Sequence, residues 1–303
     1  MQQLAPSRGP IVWLDMDQEA LDNAYDQLIY APNRDLVLER IRAAGDRTRA
    51  ALGAPQRIAY GPSEHEQLDL FRAPNAGGGT AGAPIYIYVH GGAWRASNAA
   101  ANAFIAEPLN AAGAHSVLLD FINVDQAGGD LVAMHRQVSR AIAWTWRNAK
   151  SFGGDPDRLY VMGHSSGAHL ASCALSTGWR EEGLPPTFCK GAFLTSGMYD
   201  LEPVRMSKRS AYVKFTDQME HALSAMRHLD GLVMPVMLAY GTNETPEFQR
   251  QTKDFFAALK ATRKPVELIV AQGYNHFEIF ETAANPYGLL GRAMLRQMGL
   301  ARR

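Results

Sequence analysis

The sequence predicts an α/β fold in which a mostly parallel, doubly wound sheet is flanked by helices. Continuous apolar runs such as IYIYV at 85–89 lack the alternation of a half-exposed strand, which suits strands covered on both faces. Amphipathic stretches of helical period separate these runs, and strands that alternate with helices form parallel sheets. A chain of 303 residues with 47% hydrophobic and 20% charged residues is suited to one large globular domain.

An N-terminal helical arm is expected before the sheet. Residues 14–52 read as two amphipathic helices, broken at Pro32 and closed by Gly53, since proline cannot continue a helix and glycine is favoured just after one. We therefore divide the chain into an arm over 1–56 and an α/β domain over 57–303, which together form one structural domain. The sequence leaves open whether the arm acts as a lid or packs at a dimer surface.

The elements of the α/β domain follow from the order of their apolar runs. Two strands are expected at RIAY and LDLF, and the glycine-rich run PNAGGGTAGAP after them predicts a mobile hairpin loop between strands. Later strands are expected at IYIYV, HSVLLD, RLYVMG, KGAFLTS, VMPVMLAYG and VELIVAQ. Helices are expected at AANAFIAEPLNAA, DLVAMHRQVSRAIAWTWRNAK, AHLASCALST and EFQRQTKDFFAALKAT.

Charge and cysteine content narrow the class of partner to a small molecule. Thirty basic residues balance thirty acidic ones, so no net field attracts nucleic acid or an anionic membrane. No apolar run is long enough to predict a membrane span, and the N-terminus lacks the pattern of a secretory signal, so we expect a cytoplasmic protein. Cys173 and Cys189 lack metal-ligand spacing and are expected to be buried thiols, and no metal or other cofactor is expected.

A G-x-S-x-G motif at 163–167, GHSSG, links the predicted strand RLYVM to the predicted helix AHLASCALST. Such an elbow turns so sharply that its serine adopts a strained backbone conformation, and the flanking glycines prevent collisions. The helix that begins there points free N–H groups at any developing negative charge. The pattern alone could arise by chance in a glycine-rich chain, but its position between strand and helix predicts that Ser165 is a nucleophile.

A second motif, HGGAW at 90–94, directly follows the strand IYIYV. Hydrolysis of an ester or amide passes through a tetrahedral oxyanion, which backbone donors fixed near that oxygen stabilise. We assign these donors to Gly92, Ala93 and Ser166. His90 is expected to hold the loop by a hydrogen bond, whereas Trp94 could line the acyl pocket or anchor the loop.

The general base is expected near the C-terminus, where GYNHF follows the strand VELIVAQ. A hydrolase elbow of this type is followed along the chain first by its acid and then by its histidine, and His276 is the only histidine after residue 228. His164 and His169 flank the nucleophile and cannot approach its hydroxyl as a base must, so they are expected to hydrogen-bond locally.

Two carboxylates compete for the role of the acid that orients the histidine. Glu244 lies in the turn after the strand VMPVMLAYG, at the strand end where open α/β sheets place active sites. Asp200 follows the preceding strand and could also reach the histidine, but Glu244 is preferred. Asp120 and Asp155 precede the nucleophile and suit loops and caps. Glu247 is expected to begin the next helix, where the helix dipole favours an acid.

These motifs together resemble a known family. HGGAW, GHSSGAH, SGMYDLEPV, GTNETPEFQRQ and GYNHFEI look like the arylformamidase (kynurenine formamidase) branch of the α/β-hydrolase fold, near the hormone-sensitive-lipase-like esterases. The resemblance implies a triad of Ser165, Glu244 and His276, no metal, and often a homodimer. Two departures are that several formamidases carry aspartate at the position of Glu244, and that DFINVDQAGGD lacks the Tyr-Arg or Tyr-Pro pattern of relatives.

The residues predict a serine hydrolase that cleaves a small acyl or formyl group from an amide or ester through an acyl-enzyme. An aromatic substrate is expected, and five side chains that could form its pocket or equally belong to the core are Trp94, Phe121, Tyr212, Tyr274 and Phe277. A broad-specificity short-chain carboxylesterase would share every catalytic residue and differ only in this pocket. A non-enzymatic binding protein on the same fold would usually lack a triad member, and none is missing here.

Overall fold

The computed structural model describes residues 9–74 and 82–301 of the chain. Eight strands form one sheet, in chain order β1 (Gln56–Ala59), β2 (Gln67–Phe71), β3 (Ala83–Val89), β4 (His115–Leu119), β5 (Gly154–His164), β6 (Gly191–Thr195), β7 (Val236–Gly241) and β8 (Val266–Ala271). Their order across the sheet is β1-β2-β4-β3-β5-β6-β7-β8. All pairs from β4 to β8 are parallel, whereas β1 with β2 and β2 with β4 are antiparallel. The predicted α/β class with a mostly parallel sheet is confirmed.

Twelve α-helices lie among the described residues. In chain order they are α1 (Gln18–Ala24), α2 (Gln27–Tyr30), α3 (Arg34–Leu52), α4 (Ala106–Ala111), α5 (Leu131–Asn148), α6 (Ser166–Cys173), α7 (Trp179–Glu181), α8 (Glu202–Met206), α9 (Asp217–Ala222), α10 (Pro246–Ala261), α11 (His276–Glu281) and α12 (Leu289–Gln297). A π-helical turn, Ala174–Gly178, extends α6, and short 3₁₀ turns occur elsewhere. None of the helices described is both long enough and apolar enough to cross a membrane.

The sheet separates two hydrophobic cores, which explains why its central strands have no polar face. In β3, Ile85, Ile87 and Val89 point into one core, while Tyr86 and Tyr88 point into the other. Successive side chains of a strand face opposite sides, so an apolar run of this kind is stable only where both sides are covered. The parallel strands consequently bring their carboxyl ends together at one edge, where loops are free to carry functional groups.

The N-terminal arm differs in one respect from its prediction. The first expected helix is two short helices, α1 and α2, because Asp26 interrupts it and its side chain accepts a hydrogen bond from Leu28 N, capping α2. The stop near Pro32 and the glycine end are as expected, since α2 ends at Tyr30 and α3 is closed by Gly53 with φ of 81°.

The predicted hairpin between β2 and β3 is wrong. The strands on either side of the glycine-rich run are not neighbours in the sheet, because β4 lies between them and pairs with both. Residues 75–81, which hold most of this run, lie outside the described residues, so its expected mobility stays a prediction. The error came from joining consecutive strands, which pair often but not always.

Candidate active site

The elbow at the end of β5 places Ser165 in a strained conformation. Its backbone has φ of 58° and ψ of −128°, a region that residues with a side chain rarely adopt. A Cβ at Gly163 would lie 2.4 Å from Gly167 O, and one at Gly167 would lie 2.1 Å from Val89 O. Only glycines allow the turn to pack this closely against β3, as the motif predicted.

The loop after β3 presents backbone donors beside the elbow. Gly92, Ala93 and Trp94 all have positive φ, of 106°, 57° and 64°. The loop is tied to the elbow because Trp94 N donates to Ser166 Oγ at 3.1 Å. Among the described residues, the N–H groups of Gly92 and Ala93 have no acceptor, and Ser166 N stands at the start of α6 before any intrahelical bond. The HGGAW loop and the start of α6, which the hydrogen bond from Trp94 to Ser166 joins, thus carry three backbone N–H groups without an acceptor among the described residues.

The loops after β7 and β8 bring a carboxylate and an imidazole together. His276 Nδ1 lies 2.8 Å from Glu244 Oε2, and both side chains are buried. An ionised carboxylate only accepts, so Nδ1 carries the proton and Nε2 is left as an acceptor. His276 begins α11, whose N-terminus is fixed by a capping box between Asn275 and Glu278.

Besides the imidazole, the Glu244 carboxylate contacts three of the described residues, of which two, Ser196 and Gln27, were not predicted from the sequence. Ser196 Oγ donates to Glu244 Oε1 at 2.7 Å, and Gly241 N donates to the same oxygen at 2.6 Å. Gln27 of α2 lies 3.4 Å from Oε2 and also accepts from Thr245 N at 3.4 Å. Ser196 follows β6 at the active edge of the sheet, a position that could have indicated it. Gln27 carries no such signal, because it is 217 residues from Glu244 along the chain.

The backbone of His276 is held by a second histidine, which comes from the elbow. His164 Nε2 donates to His276 O at 3.0 Å, and its ring stacks on Phe280. This bond reaches across 112 residues, so the expectation that His164 bonds only locally is wrong. No hydrogen bond joins Ser165 Oγ to His276 among the described residues. Such bonds are often long before substrate binds.

The rival carboxylates are engaged elsewhere. Asp200 Oδ1 accepts from Glu202 N at 3.2 Å and lies 3.4 Å from Arg227. Asp120 pairs with Arg57 and caps Ala99 N, and Asp155 accepts from Asp157 N within its own turn. Glu244 is the carboxylate that contacts His276. Glu247 lies in the first turn of α10, and it also forms a buried ion pair with Arg250 and accepts from Tyr25 OH.

The chain is similar to several known hydrolases. A family model described as BD-FAE matches residues 68–186, which contain the HGGAW loop and the elbow. The kynurenine formamidase of Danio rerio is 28% identical over 95% of this chain and 98% of its own length. The chain is an arylformamidase-like α/β-hydrolase. The isoprenylcysteine alpha-carbonyl methylesterase ICME of Arabidopsis thaliana is 27% identical over 74% of this chain and 56% of that protein. A propionate-bound esterase from Thermogutta terrifontis shares the fold, with a TM-score of 0.68 at 17% identity over 83% of this chain and 97% of that one.

The arylformamidase-like hydrolase has a cavity of about 220 Å³ beside its HGGAW loop. Trp94 and Phe121 lie in its wall, together with Ser166 and polar residues such as Asn98 and Asn123. The wall does not include Tyr212, Tyr274 or Phe277, so their contact with a substrate stays a prediction.

Trp94 also anchors the loop, so both of its expected roles are compatible with the structure. Its Nε1 donates to His169 Nδ1 at 3.2 Å, and His169 Nε2 donates in turn to Leu223 O at 2.9 Å. This chain of bonds needs a neutral imidazole, and burial lowers the pKa of His169 to about 4. His90 is buried as well, stacks on Phe121 and hydrogen-bonds through Nδ1 to Gly91 O, so it holds the loop as predicted.

Both cysteines are free, buried thiols in this hydrolase, as the sequence predicted. Burial raises the pKa of each thiol, that of Cys173 and that of Cys189, to about 12. A thiol that stays protonated is a poor nucleophile, so neither residue competes with Ser165. Within the described part of the chain, no cluster of three His, Cys, Asp or Glu side chains could hold a metal ion.

Proposed function

We propose that the chain is a serine hydrolase in which Ser165, His276 and Glu244 form the catalytic triad. The observation that carries the proposal is the 2.8 Å contact between His276 Nδ1 and Glu244 Oε2, at the sheet edge where Ser165 stands in a strained elbow. Three loops from three different strands converge there. A purely structural role for these residues gives no reason for a buried imidazole with one nitrogen left to accept a proton.

In the proposed reaction, His276 Nε2 takes the proton of Ser165 as Oγ attacks the carbonyl carbon of the substrate. The same imidazolium then protonates the leaving amine or alcohol, which departs and leaves an acyl- or formyl-enzyme. A water molecule, deprotonated by His276, attacks this ester and releases the acid. Glu244 keeps the imidazole in the correct tautomer and stabilises its charged form.

The N–H groups of Gly92, Ala93 and Ser166 are proposed to bind the oxyanion. In the described part of the chain all three are free of acceptors, and Gly92 and Ala93 have positive φ. Donors that are already fixed in place lower the barrier because they need no reorganisation as the charge develops. The hydrogen bond from Trp94 N to Ser166 Oγ holds the loop in this conformation.

The substrate class is proposed to be small formamides or esters with an aromatic group. The relatives named kynurenine formamidase cover almost the whole chain, which favours a formyl group on an aromatic amine. A broad short-chain carboxylesterase is the second candidate, favoured by the methylesterase relative. Comparing kcat/KM for formanilide and for 4-nitrophenyl acetate would separate the two, since they would differ only in how the pocket binds the transition state.

We further propose a cytoplasmic location and a homodimeric assembly. Two unpaired cysteines are in keeping with a reducing compartment, which supports the cytoplasm. A homodimer is proposed from the family resemblance, and light scattering on the purified protein would measure it directly.

The proposal is tested by replacing Ser165 with Ala. Hydrolysis of 4-nitrophenyl acetate should be lost while the circular dichroism spectrum stays unchanged, because no other residue is placed to form the acyl-enzyme. A fluorophosphonate probe, located by peptide mass spectrometry, should label Ser165. Retained turnover in the variant, or labelling at another residue, would show the assignment to be wrong.

A further inference from the structure

Arg209 carries a buried positive charge that forms no direct ion pair among the described residues. Asp26 interacts with it only over a longer range, where the charge of Arg209 helps to lower the pKa of that carboxyl. Its side chain is only 7% exposed and lies between the N-terminal arm and the HGGAW loop. Among the residues that the structure describes, no aspartate or glutamate forms an ion pair with it, and its Nε is buried without any hydrogen-bond partner. Buried charges in proteins are normally paired, because removing them from water is costly.

Arg209 is the one arginine or lysine that is buried among the described residues. Two cations close to it in the sequence have a direct partner: Lys208 pairs with Asp26 at 2.5 Å, and Arg205 pairs with Asp217 at 2.5 Å. Both of these pairs are more exposed to water than Arg209. The exposed cations, which need a counter-ion less, therefore have one in direct contact, whereas the buried cation does not. The arrangement is therefore one in which the buried guanidinium is left for a group from outside the chain.

The donors of Arg209 are only partly used. Nη1 donates to Tyr212 OH at 2.7 Å and Nη2 donates to Tyr25 O at 3.0 Å. A guanidinium has five N–H groups, so three remain, among them the buried Nε–H. Two neighbouring N–H groups of this kind match the two oxygens of a carboxylate, the geometry in which arginine binds acids most strongly.

The guanidinium also lies next to the proposed catalytic centre. Its carbon is 5.4 Å from the centre of the Trp94 ring, and Trp94 follows the proposed oxyanion donors Gly92 and Ala93. The contact of cation and ring offsets part of the cost of burial but supplies no hydrogen-bond acceptor. Arg209 is thus connected to the loop of the proposed oxyanion donors through the Trp94 ring.

We propose that Arg209 binds a carboxylate of the substrate, so that the preferred substrates are amides or esters that also carry a negative charge. This inference rests on the proposed hydrolase function and narrows its substrate class. The competing role is purely structural: Arg209 would connect Tyr25 of the arm to Tyr212 and to Trp94 without contacting a ligand.

The experiment compares two inhibitors of the same shape, 3-phenylpropanoate and its neutral amide, 3-phenylpropanamide, against hydrolysis of 4-nitrophenyl acetate. The wild-type enzyme should bind the carboxylate at least about tenfold more tightly, in competition with substrate. Arg209→Met should bring the ratio of the two inhibition constants to about one. Arg205→Met is the matched control, because it removes a nearby cation that is paired with Asp217 and Glu220, and it should keep the wild-type ratio.

Each other outcome is decisive as well. A wild-type ratio near one, or a preference that persists in Arg209→Met, would overturn the proposal, and noncompetitive inhibition would place the anion outside the substrate site and overturn it too. If Arg209→Met does not fold, Arg209→Lys keeps a charge but loses the paired donors, and its ratio should fall severalfold. Calorimetric titration of the two inhibitors needs no turnover, so a failure of the hydrolase proposal would be distinguished from a failure of this one.

Discussion

The strain at Ser165 illustrates how single residues are used in this site. A positive φ at a serine costs free energy, and the neighbouring packing must impose it. Here Ser165 N donates to Thr195 O at 2.9 Å, while Gly163 and Gly167 remove the Cβ atoms that would push the turn away from β3. The proposed nucleophile is therefore positioned by a backbone hydrogen bond and by the close packing of its neighbours, and not by contacts of its own hydroxyl.

Glu244, the acid of the proposed triad, is the residue whose replacement is most informative. Glu244→Gln should lower kcat by roughly 10²- to 10⁴-fold, because the amide favours the wrong imidazole tautomer and removes the charge that supports the imidazolium. Asp200→Asn is the matched control and should stay near wild-type kcat, since Asp200 contacts Glu202 N and Arg227 but not His276. Steady-state kinetics of both variants measures the difference, and the reverse ranking would transfer the role to Asp200.

The neutral His169 should make the fold sensitive to mild acid. Its pKa is about 4 in the folded protein and about 6.5 when unfolded, so between these values the unfolded chain binds more protons and stability falls as pH falls. The contribution is fully present above pH 6.5, and about 2 kcal/mol of it is lost by pH 5.

His169→Gln tests this contribution, because glutamine can accept from Trp94 and donate to Leu223 O without titrating. Urea unfolding at pH 7.5 and pH 5.0 should show a loss that is smaller in the variant by about 2 kcal/mol. The other buried histidines are common to both proteins and cancel in the comparison. Equal losses in the two proteins would mean that His169 is not the group that charges.

At the scale of elements, the N-terminal arm connects the two loops that hold the acid and the base. Gln27 contacts Glu244 and Thr245 in the turn after β7. Asn33 donates to Glu278 Oε1 at 2.6 Å and accepts from Asn275 Nδ2 at 2.7 Å, so it contacts both residues of the capping box that begins α11. Two residues of the arm, Gln27 and Asn33, thus join the segments of Glu244 and His276, which lie 32 residues apart in sequence.

Asn33→Ala should reduce catalysis as well as stability. Glu278 and Asn275 would each lose a part-buried partner, at a cost of about 1–3 kcal/mol. We expect kcat to fall about tenfold with little change in KM, because the imidazole next to the cap loses its fixed orientation. Asp46→Ala, which breaks only an exposed pair with Arg49 in the same arm, should leave kcat unchanged. If Asn33→Ala lowers the melting temperature but not kcat, the arm serves stability alone.

The element predictions show where local pattern was sufficient. The predictions of the strands from IYIYV onward and of the long helices were correct. In each of them the pattern of apolar residues along the whole segment is typical of a buried strand or of an amphipathic helix. The first arm helix was wrong because Asp26 supplies a cap that a purely apolar period does not reveal. The expected helix at AANAFIAEPLNAA begins instead with a 3₁₀ turn, Ala100–Ile105, before α4.

At the scale of the whole molecule, the arm completes both hydrophobic cores. Leu21 and Tyr25 are buried in the core that contains Ile85, whereas Val37 and Ile41 are buried in the core on the other face of the sheet. Each side chain of this size contributes about 1.5–3 kcal/mol when buried, so the four together contribute an upper estimate of about 6–12 kcal/mol. That is comparable with the whole stability of a typical domain, about 5–15 kcal/mol.

Removal of residues 1–52 should therefore prevent stable folding. The truncated chain is expected to be insoluble, or to show no cooperative thermal transition, when it is expressed beside the full-length protein. Circular dichroism melting curves of the two proteins make the measurement. A truncated chain that melts cooperatively near the full-length temperature would show the arm to be separable, and the proposal of one structural domain would then be wrong.

The sequence by itself determined the class of fold, the elbow, the HGGAW loop and the order of the proposed triad. These features depend on residues that are adjacent in the chain. There, backbone sterics and the spacing of apolar residues limit which local structures a segment can adopt. Only the tertiary structure decided that Glu244 and not Asp200 contacts His276, and that Gln27, Ser196 and His164 hold the site. Among the described residues it also left the Nε of Arg209 buried without a hydrogen-bond partner. These facts depend on contacts between residues far apart in sequence, and no local pattern records which distant side chains the sheet will bring together.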